Sequence, residues 1–270
     1  ISLSTDIFPE SVIMAHSGNF PGDLFIQYPR EVIMKEELLR GAVGNTLIFV
    51  LTAAVVLTAF GAGFMDSISV EAVKPYYSGS TDGNCVSVMI NVYWGNEYIP
   101  SMLDTLDAYN AKATFFIGGM WADKYPELLK TIASRGHEIG NHGYFHRDQD
   151  KLSYERNLEE IVTAEKVIYS VTGIRTVLFA PPSGAYASQT LQAAEDAGYK
   201  TVMWSKDTVD WRDQDVSLIF RRATGKLKGG DLILMHPTEA TMKALPDILK
   251  FFSENGFKIC TVSQNIEGSA

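Results

Sequence analysis

Two histidines four residues apart are the first candidates for chemistry in this chain. His142 and His146 lie in residues 140–146, where Gly140 and Gly143 flank the first histidine and allow a sharp turn. Imidazoles at this spacing can face one point and bind one divalent metal ion. Taken alone, such a pair is more often a polar surface feature. The position favours a metal site, because the pair follows a predicted strand, where α/β proteins carry their active sites.

Polar and aromatic side chains also follow the other predicted strands, at the face where such folds carry active sites. They are Asn91, Tyr93, Trp94, Pro182, Asp207, Asp210, Trp211 and His236. Each has an ordinary alternative, since the aspartates could form turns and His236 could be a core histidine. Together they favour metal-assisted hydrolysis, with the metal acidifying a water molecule and His236 protonating a leaving amine. The tyrosine and tryptophan rings are candidates for stacking on sugars.

The elements that must position these residues alternate along the chain. Short apolar runs predict strands at 86–92, 112–117, 137–141, 176–180, 199–205, 231–235 and 257–262. The segments between them predict helices at 97–110, 121–135, 153–173, 188–197, 216–227 and 240–254. This alternation predicts an α/β fold with a parallel sheet that is covered on both faces. A barrel and a doubly wound sheet both fit the pattern.

The composition argues against nucleic acid as a partner and does not determine whether the two cysteines pair. The chain has 270 residues, of which 46% are hydrophobic, enough for one large folded domain. A net charge of −9 argues against nucleic acid, because phosphate binding needs a basic surface. Cys85 and Cys260 define no disulfide framework by their spacing. Two buried thiols are the favoured prediction.

The N-terminal third contains a candidate membrane span. Residues 44–65 carry no charge and are long enough to cross the apolar core of a bilayer. Positive residues are more frequent before the span, which predicts that the part after it lies outside the cytoplasm. Residues 1–43 then form a cytoplasmic or non-native segment, with Met34 a suspected natural start. Residues 66–84 are predicted to form a linker, and cleavage near residues 70–72 would release a secreted form.

Beyond residue 85 the motifs resemble the polysaccharide deacetylase family, the NodB-homology domain, and most closely its sporulation-type, membrane-anchored branch. The stretches that carry the resemblance are 112–116, 136–142 with His146, 181–184, 207–211 and 232–236. The resemblance covers a domain at 85–265 and implies a distorted barrel of seven strands. It also implies removal of acetyl groups from N-acetylated sugars in cell-wall glycan or a chitin-like polymer. By resemblance, His236 is the catalytic acid and Asp210 is the aspartate that orients it.

Three positions depart from the family pattern. The family's first motif carries two adjacent aspartates, a catalytic base and a metal ligand, where this chain has Asn91 and Val92. The arginine that partners the base is replaced by Ala180. An asparagine amide cannot simply act as the base. Any metal site then depends on His142, His146, water and the Asn91 oxygen, and zinc is the most plausible ion, weakly bound or absent.

Three functions remain open at this point. The first is a metal-dependent N-deacetylase of cell-wall glycan, with impaired activity. The second is a non-catalytic glycan-binding or scaffold protein on the same fold. The third is a glycosidase that uses Asp207 and Asp210, which are too close together on one loop to flank a glycosidic bond well. The expected partners are N-acetylated glycan and, through one helix, a membrane; the oligomeric state stays open.

Overall fold

The structure, a computed structural model, describes residues 30–65 and 73–268. It divides into two units, Ile1–Glu71 and Ala72–Ala270. In the first unit the described residues form one helix, α1 (Arg30–Met65). Its most apolar window, Leu38–Val55, has a mean hydropathy of 1.7 and none of it is buried. By length and composition, α1 is the one helix among the described residues that could cross a membrane.

Only part of the predicted N-terminal organisation falls on residues that the structure describes. Residues 1–29 of the predicted N-terminal segment and residues 66–72 of the predicted linker lie outside the described residues. The predicted span at 44–65 forms the C-terminal part of α1, which begins earlier, at Arg30.

Eight parallel strands form the sheet of the second unit. They are β1 (Cys85–Val92), β2 (Thr114–Ile117), β3 (Glu138–Asn141), β4 (Leu178–Phe179), β5 (Lys200–Thr201), β6 (Lys206–Asp207), β7 (Leu232–Met235) and β8 (Lys258–Ile259). The order across the sheet is β5-β4-β3-β2-β1-β7-β6, and β8 also pairs with β1. Within the predicted fifth strand at 199–205, only β5 forms, and residues 202–205 lead from it to β6, which was not predicted.

The order of the strands shows how the sheet closes. β5 and β6 lie at opposite ends of the order, yet only residues 202–205 join them. A link of this length spans less than about 18 Å, so the two edges must lie near each other. The sheet is thus curled, and the predicted distorted (β/α)7 barrel is confirmed.

Helices cover the outside of the curled sheet. They are α2 (Ile99–Ala108), α3 (Gly119–Lys124), α4 (Pro126–Ser134), α5 (Tyr154–Thr172), α6 (Ser188–Asp196), α7 (Val216–Thr224), α8 (Glu239–Glu254) and α9 (Val262–Glu267). The helix predicted at 121–135 divides into α3 and α4 because Pro126, at the start of α4, has no N–H to continue a preceding helix. The short helix α9 was not predicted. Its Thr261 cap accepts a hydrogen bond from the Gln264 N–H.

The two faces of β1 point to different environments. Val88, Ile90 and Val92 belong to the large apolar cluster between the sheet and the helices. Met89 belongs instead to a smaller cluster, inside the curl of the sheet, that includes Ala180. Successive strand residues alternate between faces, so Asn91 shares the inner face with Met89, and Val92 points outward.

The two cysteines of the second unit differ from their prediction. Cys85 and Cys260 form a disulfide with Cα atoms 6.0 Å apart, so the prediction of two free thiols is wrong. The pairing of β8 with β1, in which Val86 lies opposite Ile259, brings the cysteines together, and spacing along the chain could not reveal it. In the described part of the predicted linker, the Tyr76 N–H donates a hydrogen bond to the Thr201 carbonyl at 2.9 Å.

Candidate active site

Asp210 and His236 form a hydrogen-bonded pair at the C-terminal ends of the strands. Asp210 is fully buried, and its carboxylate accepts from the His236 backbone N–H at 2.7 Å. The His236 Nδ1 lies 2.8 Å from the other carboxylate oxygen. Thr241, in α8, donates its hydroxyl to the same carboxylate. Because Nδ1 faces the carboxylate, the His236 Nε2 is left as the nitrogen that can transfer a proton.

The turn that presents Asp210 is held by Asp207. The Asp207 carboxylate accepts from the Val209 N–H at 2.8 Å. Val209 has a φ of 51°, an uncommon conformation for a β-branched residue. Asp207 therefore stabilises a strained turn next to Asp210. The glycosidase hypothesis loses support, because both of its carboxylates are engaged within the chain.

His142 and His146 lie together, as their spacing predicts, with ring centroids 5.0 Å apart. His142 follows β3, is 1% exposed, and its Nδ1 lies 2.7 Å from the Ala180 carbonyl oxygen. Burial, with His146 nearby, lowers the pKa of His142 to about 3. The pKa of His146 is also lowered, chiefly by burial. Both imidazoles are therefore neutral near pH 7, the form that binds metal ions.

The loop between these histidines is fixed by Glu160, a residue that the sequence analysis missed. The buried Glu160 carboxylate accepts from the N–H groups of Tyr144 at 3.0 Å and Phe145 at 2.7 Å. Glu160 lies on the buried stripe of α5 beside Ile161 and Ala164. A carboxylate on an apolar stripe is the signal that could have identified it, because a buried charge requires partners.

The three positions that depart from the family pattern are all buried. Asn91 is 5% exposed, and within the described part of the chain its Oδ1 has no hydrogen-bond partner. Val92 is fully buried in the apolar layer outside the sheet. Ala180 is fully buried with Met89 inside the curl. At these three positions the site therefore has one neutral amide, and no carboxylate or guanidinium group.

The residues predicted to stack on sugars differ in their contacts and in their exposure. Tyr93 stacks on His146 with centroids 4.7 Å apart, and Trp94 lies parallel to His236 at 5.9 Å. Trp211 is 54% exposed. Pro182 is buried, so it can form part of a wall but offers no open stacking surface. Tyr93 thus lies beside His146, and Trp94 lies beside His236.

The residues present do not make a complete metal site. No group of three or more His, Cys, Asp or Glu side chains that could hold a metal ion occurs among residues 30–65 and 73–268. Catalytic zinc sites usually have three protein ligands, often including a carboxylate or thiolate. Here His142 and His146 have only the neutral Asn91 Oδ1 as a further candidate. The residues present therefore do not fit a catalytic zinc ion.

Comparison with known proteins agrees with the fold and the motifs. The polysaccharide deacetylase family matches residues 78–202. Protein YlxY of Bacillus subtilis (strain 168) is 38% identical over 73% of this chain and 63% of its own length. A peptidoglycan-N-acetylglucosamine deacetylase of Bacillus cereus (strain ATCC 14579) is 35% identical over 62% of this chain and 81% of its own length. The chain belongs to the polysaccharide deacetylase family.

A solved structure gives a similar result. A CE4 family pseudoenzyme from Bacillus anthracis superimposes with a TM-score of 0.70 at 33% identity, covering 72% of this chain and 69% of that one. A mutant of a pseudoenzyme of this family, described as having restored enzymatic activity, matches at 31% identity with the same TM-score of 0.70. The chain spans less than two thirds of the length of YlxY.

Proposed function

We propose that this protein acts on N-acetylated glycan of the cell wall, at a deacetylase site in which hydrolysis of the acetamido C–N bond is impaired. The observation that carries the proposal is the contrast between the two halves of the site. The acid half is intact, with the His236 Nδ1 2.8 Å from Asp210. At the position of the family's base, the other half has Asn91, whose Oδ1 is buried without a partner.

The chemistry of each half follows from these groups. Protonated His236 can donate from Nε2 to the leaving amine, and the Asp210 carboxylate stabilises the imidazolium form. Trp94, parallel to the His236 ring, is placed to hold a sugar against the acid. The Asn91 amide cannot take a proton from the attacking water, because its lone pairs are not basic. Loss of a general base typically lowers the rate by about a hundred- to ten-thousand-fold.

A second candidate function is a non-catalytic glycan-binding protein or scaffold on the same fold. The similarity to a CE4 family pseudoenzyme favours it, whereas the similarity to a peptidoglycan-N-acetylglucosamine deacetylase favours the impaired enzyme. The acetate that wild-type protein releases from N-acetylglucosamine oligomers separates the two, with His236→Ala as the control. Slow release that His236→Ala abolishes supports the impaired enzyme. Binding of the oligomers without any His236-dependent release supports the scaffold, and absence of both binding and release contradicts the proposal.

We also propose that α1 anchors the protein in a membrane and that the following domain lies outside the cytoplasm, or is secreted if the anchor is cleaved. The apolar window Leu38–Val55 supports an anchor, and Lys35 and Arg40 precede the uncharged span. The Cys85–Cys260 disulfide is consistent with an oxidising compartment. Protease added to intact spheroplasts should digest the domain and leave a cytoplasmic control protein intact. Equal protection of both would contradict this topology.

A further inference from the structure

A surface cavity of about 280 Å³ lies beside the loop that carries His146. Residues next to His146 line one side of it and the first turns of α5 line the other: Tyr144, Phe145, Arg147, Arg156, Glu159 and Glu160. The cavity borders the active site, because Tyr93, which stacks on His146, donates its hydroxyl to the Phe145 carbonyl at 3.4 Å. The proposed deacetylation chemistry makes no use of this cavity.

Arg147 brings hydrogen-bond donors to the cavity that the described part of the chain leaves unused. Its guanidinium group lies over the Phe145 ring, 4.8 Å from the centroid. Its Nε is 3.7 Å from the Glu160 carboxylate, a separation too long for a hydrogen bond. The Arg147 side chain is 53% exposed. Stacking on the ring holds the planar guanidinium fork in place, in a geometry that suits a carboxylate.

The two carboxylates that line the cavity are already engaged within the chain. The buried Glu160 accepts the backbone N–H groups of Tyr144 and Phe145. Glu159 forms an ion pair with Arg156 in which both side chains are more than half exposed. An exposed pair of this kind contributes little to stability, so Arg156 is able to exchange Glu159 for another anion. An entering carboxylate therefore meets one available guanidinium group and a second that can be released.

The position of the cavity indicates what would carry the carboxylate. A glycan bound at the active site would place its substituents against the adjoining loop. Peptidoglycan carries carboxylates on the lactyl groups of its sugars and on its stem peptides, whereas a chitin-like polymer carries none. The Phe145 ring, 47% exposed beside Arg147, offers an apolar contact to the chain that bears the carboxylate.

We propose that Arg147 and Arg156 bind a carboxylate of acidic cell-wall glycan, so that this cavity selects peptidoglycan over a neutral, chitin-like polymer. The Arg147 fork donates paired N–H groups to the carboxylate, and Arg156 adds a second positive charge. The proposal rests on the proposed function, since a glycan must occupy the active site for its substituent to reach the cavity.

The experiment measures the binding of glycan probes to the full chain in detergent micelles by calorimetry. Two acidic probes are a peptidoglycan tetrasaccharide with its stem peptides and the same tetrasaccharide without them, which keeps its lactyl carboxylates. Their methyl esters remove the charge, and tetra-N-acetylchitotetraose is the neutral glycan. Wild-type protein should bind at least one acidic probe about tenfold more tightly than its ester, because a charge-assisted hydrogen bond is lost on esterification. A preference seen with the peptide-free probe identifies the lactyl group, and one confined to the peptide-bearing probe identifies the stem peptide.

Substitutions in the cavity should change the preference for acid over ester. Arg147→Gln should lower the affinity for the acidic probe to that for its ester and leave the affinity for the ester unchanged. Arg147→Lys keeps the charge but loses the fork, and should show a smaller preference than wild type. Glu159→Gln should increase the preference, because it releases Arg156.

Arg175→Gln is the matched control. Arg175 lies over the Tyr169 ring at 4.7 Å and 3.3 Å from the Glu165 carboxylate, much as Arg147 lies over Phe145 and near Glu160, but it does not line the cavity. Its substitution should leave all the affinities unchanged.

Several results would overturn the inference while glycan binding stands. They are equal wild-type affinities for acid and ester, an undiminished preference in Arg147→Gln, or an equal loss of both affinities in that variant, which would mean that Arg147 only supports the loop. Should Arg147→Gln not fold, an undiminished preference in Arg147→Lys overturns the inference instead. If wild-type protein binds no probe, tetra-N-acetylchitotetraose included, the proposed function itself fails.

Discussion

Aspartate substitutions at Val92 and Asn91 test the opposite orientations of these two side chains on β1. Alignment with the family would place a metal-binding carboxylate here, beside a base at Asn91. In the structure, the fully buried Val92 side chain lies in the apolar layer between the sheet and the helices. Asn91 points to the opposite side of the strand, into the curl. Val92→Asp and Asn91→Asp should therefore have different costs although the positions are adjacent.

The expected difference in the free energy of unfolding follows from the groups that each substitution removes and buries. Val92→Asp loses the burial of a valine side chain, about 1.5–3 kcal/mol. It also places an unpaired carboxyl group among apolar side chains, which adds about 1–3 kcal/mol. Asn91→Asp loses no apolar burial, because it replaces one polar group with another of the same shape. We expect Val92→Asp to lower the free energy of unfolding by at least about 2 kcal/mol more than Asn91→Asp.

Urea unfolding of the full chain in micelles, followed by tryptophan fluorescence, measures this difference. Val92→Thr serves as a control of valine-like shape with a single hydroxyl group, and should lie between wild type and Val92→Asp. Added zinc should stabilise Asn91→Asp, which places a carboxylate on the inner face, and should not stabilise Val92→Asp. Equal free energies of unfolding for the two aspartate variants would refute the assignment of Val92 to the outer apolar layer.

Three further predictions concern titration, cross-linking and metal binding. Burial lowers the pKa of His137 from 6.5 to about 4. The unfolded chain therefore binds a proton at His137 more readily than the folded protein does, and the free energy of unfolding falls by up to about 3 kcal/mol as the pH drops from 6.5 towards 4. Above pH 6.5 this contribution to stability is fully present. His137→Asn should reduce the pH dependence in acid-unfolding curves. The Cys85–Cys260 disulfide closes a separation of 175 residues, so reduction should lower the free energy of unfolding by roughly 2–5 kcal/mol. A urea midpoint that dithiothreitol leaves unchanged, after the bond is shown to be reduced, would contradict this expectation. Zinc should bind wild-type protein weakly in calorimetric titration, and His142→Ala and His146→Ala should each abolish that binding; undiminished binding in both variants would place the metal elsewhere.

Much of the architecture could be predicted from local patterns. The alternation of short apolar runs with amphipathic segments predicted the parallel sheet, because these strands are buried on both faces. The cap at Ser153 and the left-handed Gly173 that bound α5 were readable for the same reason, since both depend on neighbouring residues only. The disulfide and the short strand β6, which pairs with β7, depend on contacts between distant segments. Local patterns could not predict them.

In the site, too, local patterns predicted some features and missed others. The spacing of His142 and His146 was informative because one turn brings both rings together. The pairing of His236 with Asp210 came from the family resemblance, and hydrogen bonds at 2.7 and 2.8 Å bear out their proximity. The opposite orientations of Asn91 and Val92 could be seen only in the structure, because they follow from the apolar clusters that pack on the two faces of β1. Glu160 was missed because its partners are backbone N–H groups, which no side-chain motif records.

In the proposed function, the missing base limits catalysis at a site whose acid is intact. The most direct test measures acetate release from N-acetylglucosamine oligomers by wild type and by Asn91→Asp, alone and with Ala180→Arg. We predict release near background for wild type and a gain of about a hundredfold or more for Asn91→Asp, increased further by the arginine. His236→Ala should remove the gain. Rapid release by wild type that requires His236 and that Asn91→Asp does not increase would contradict the account.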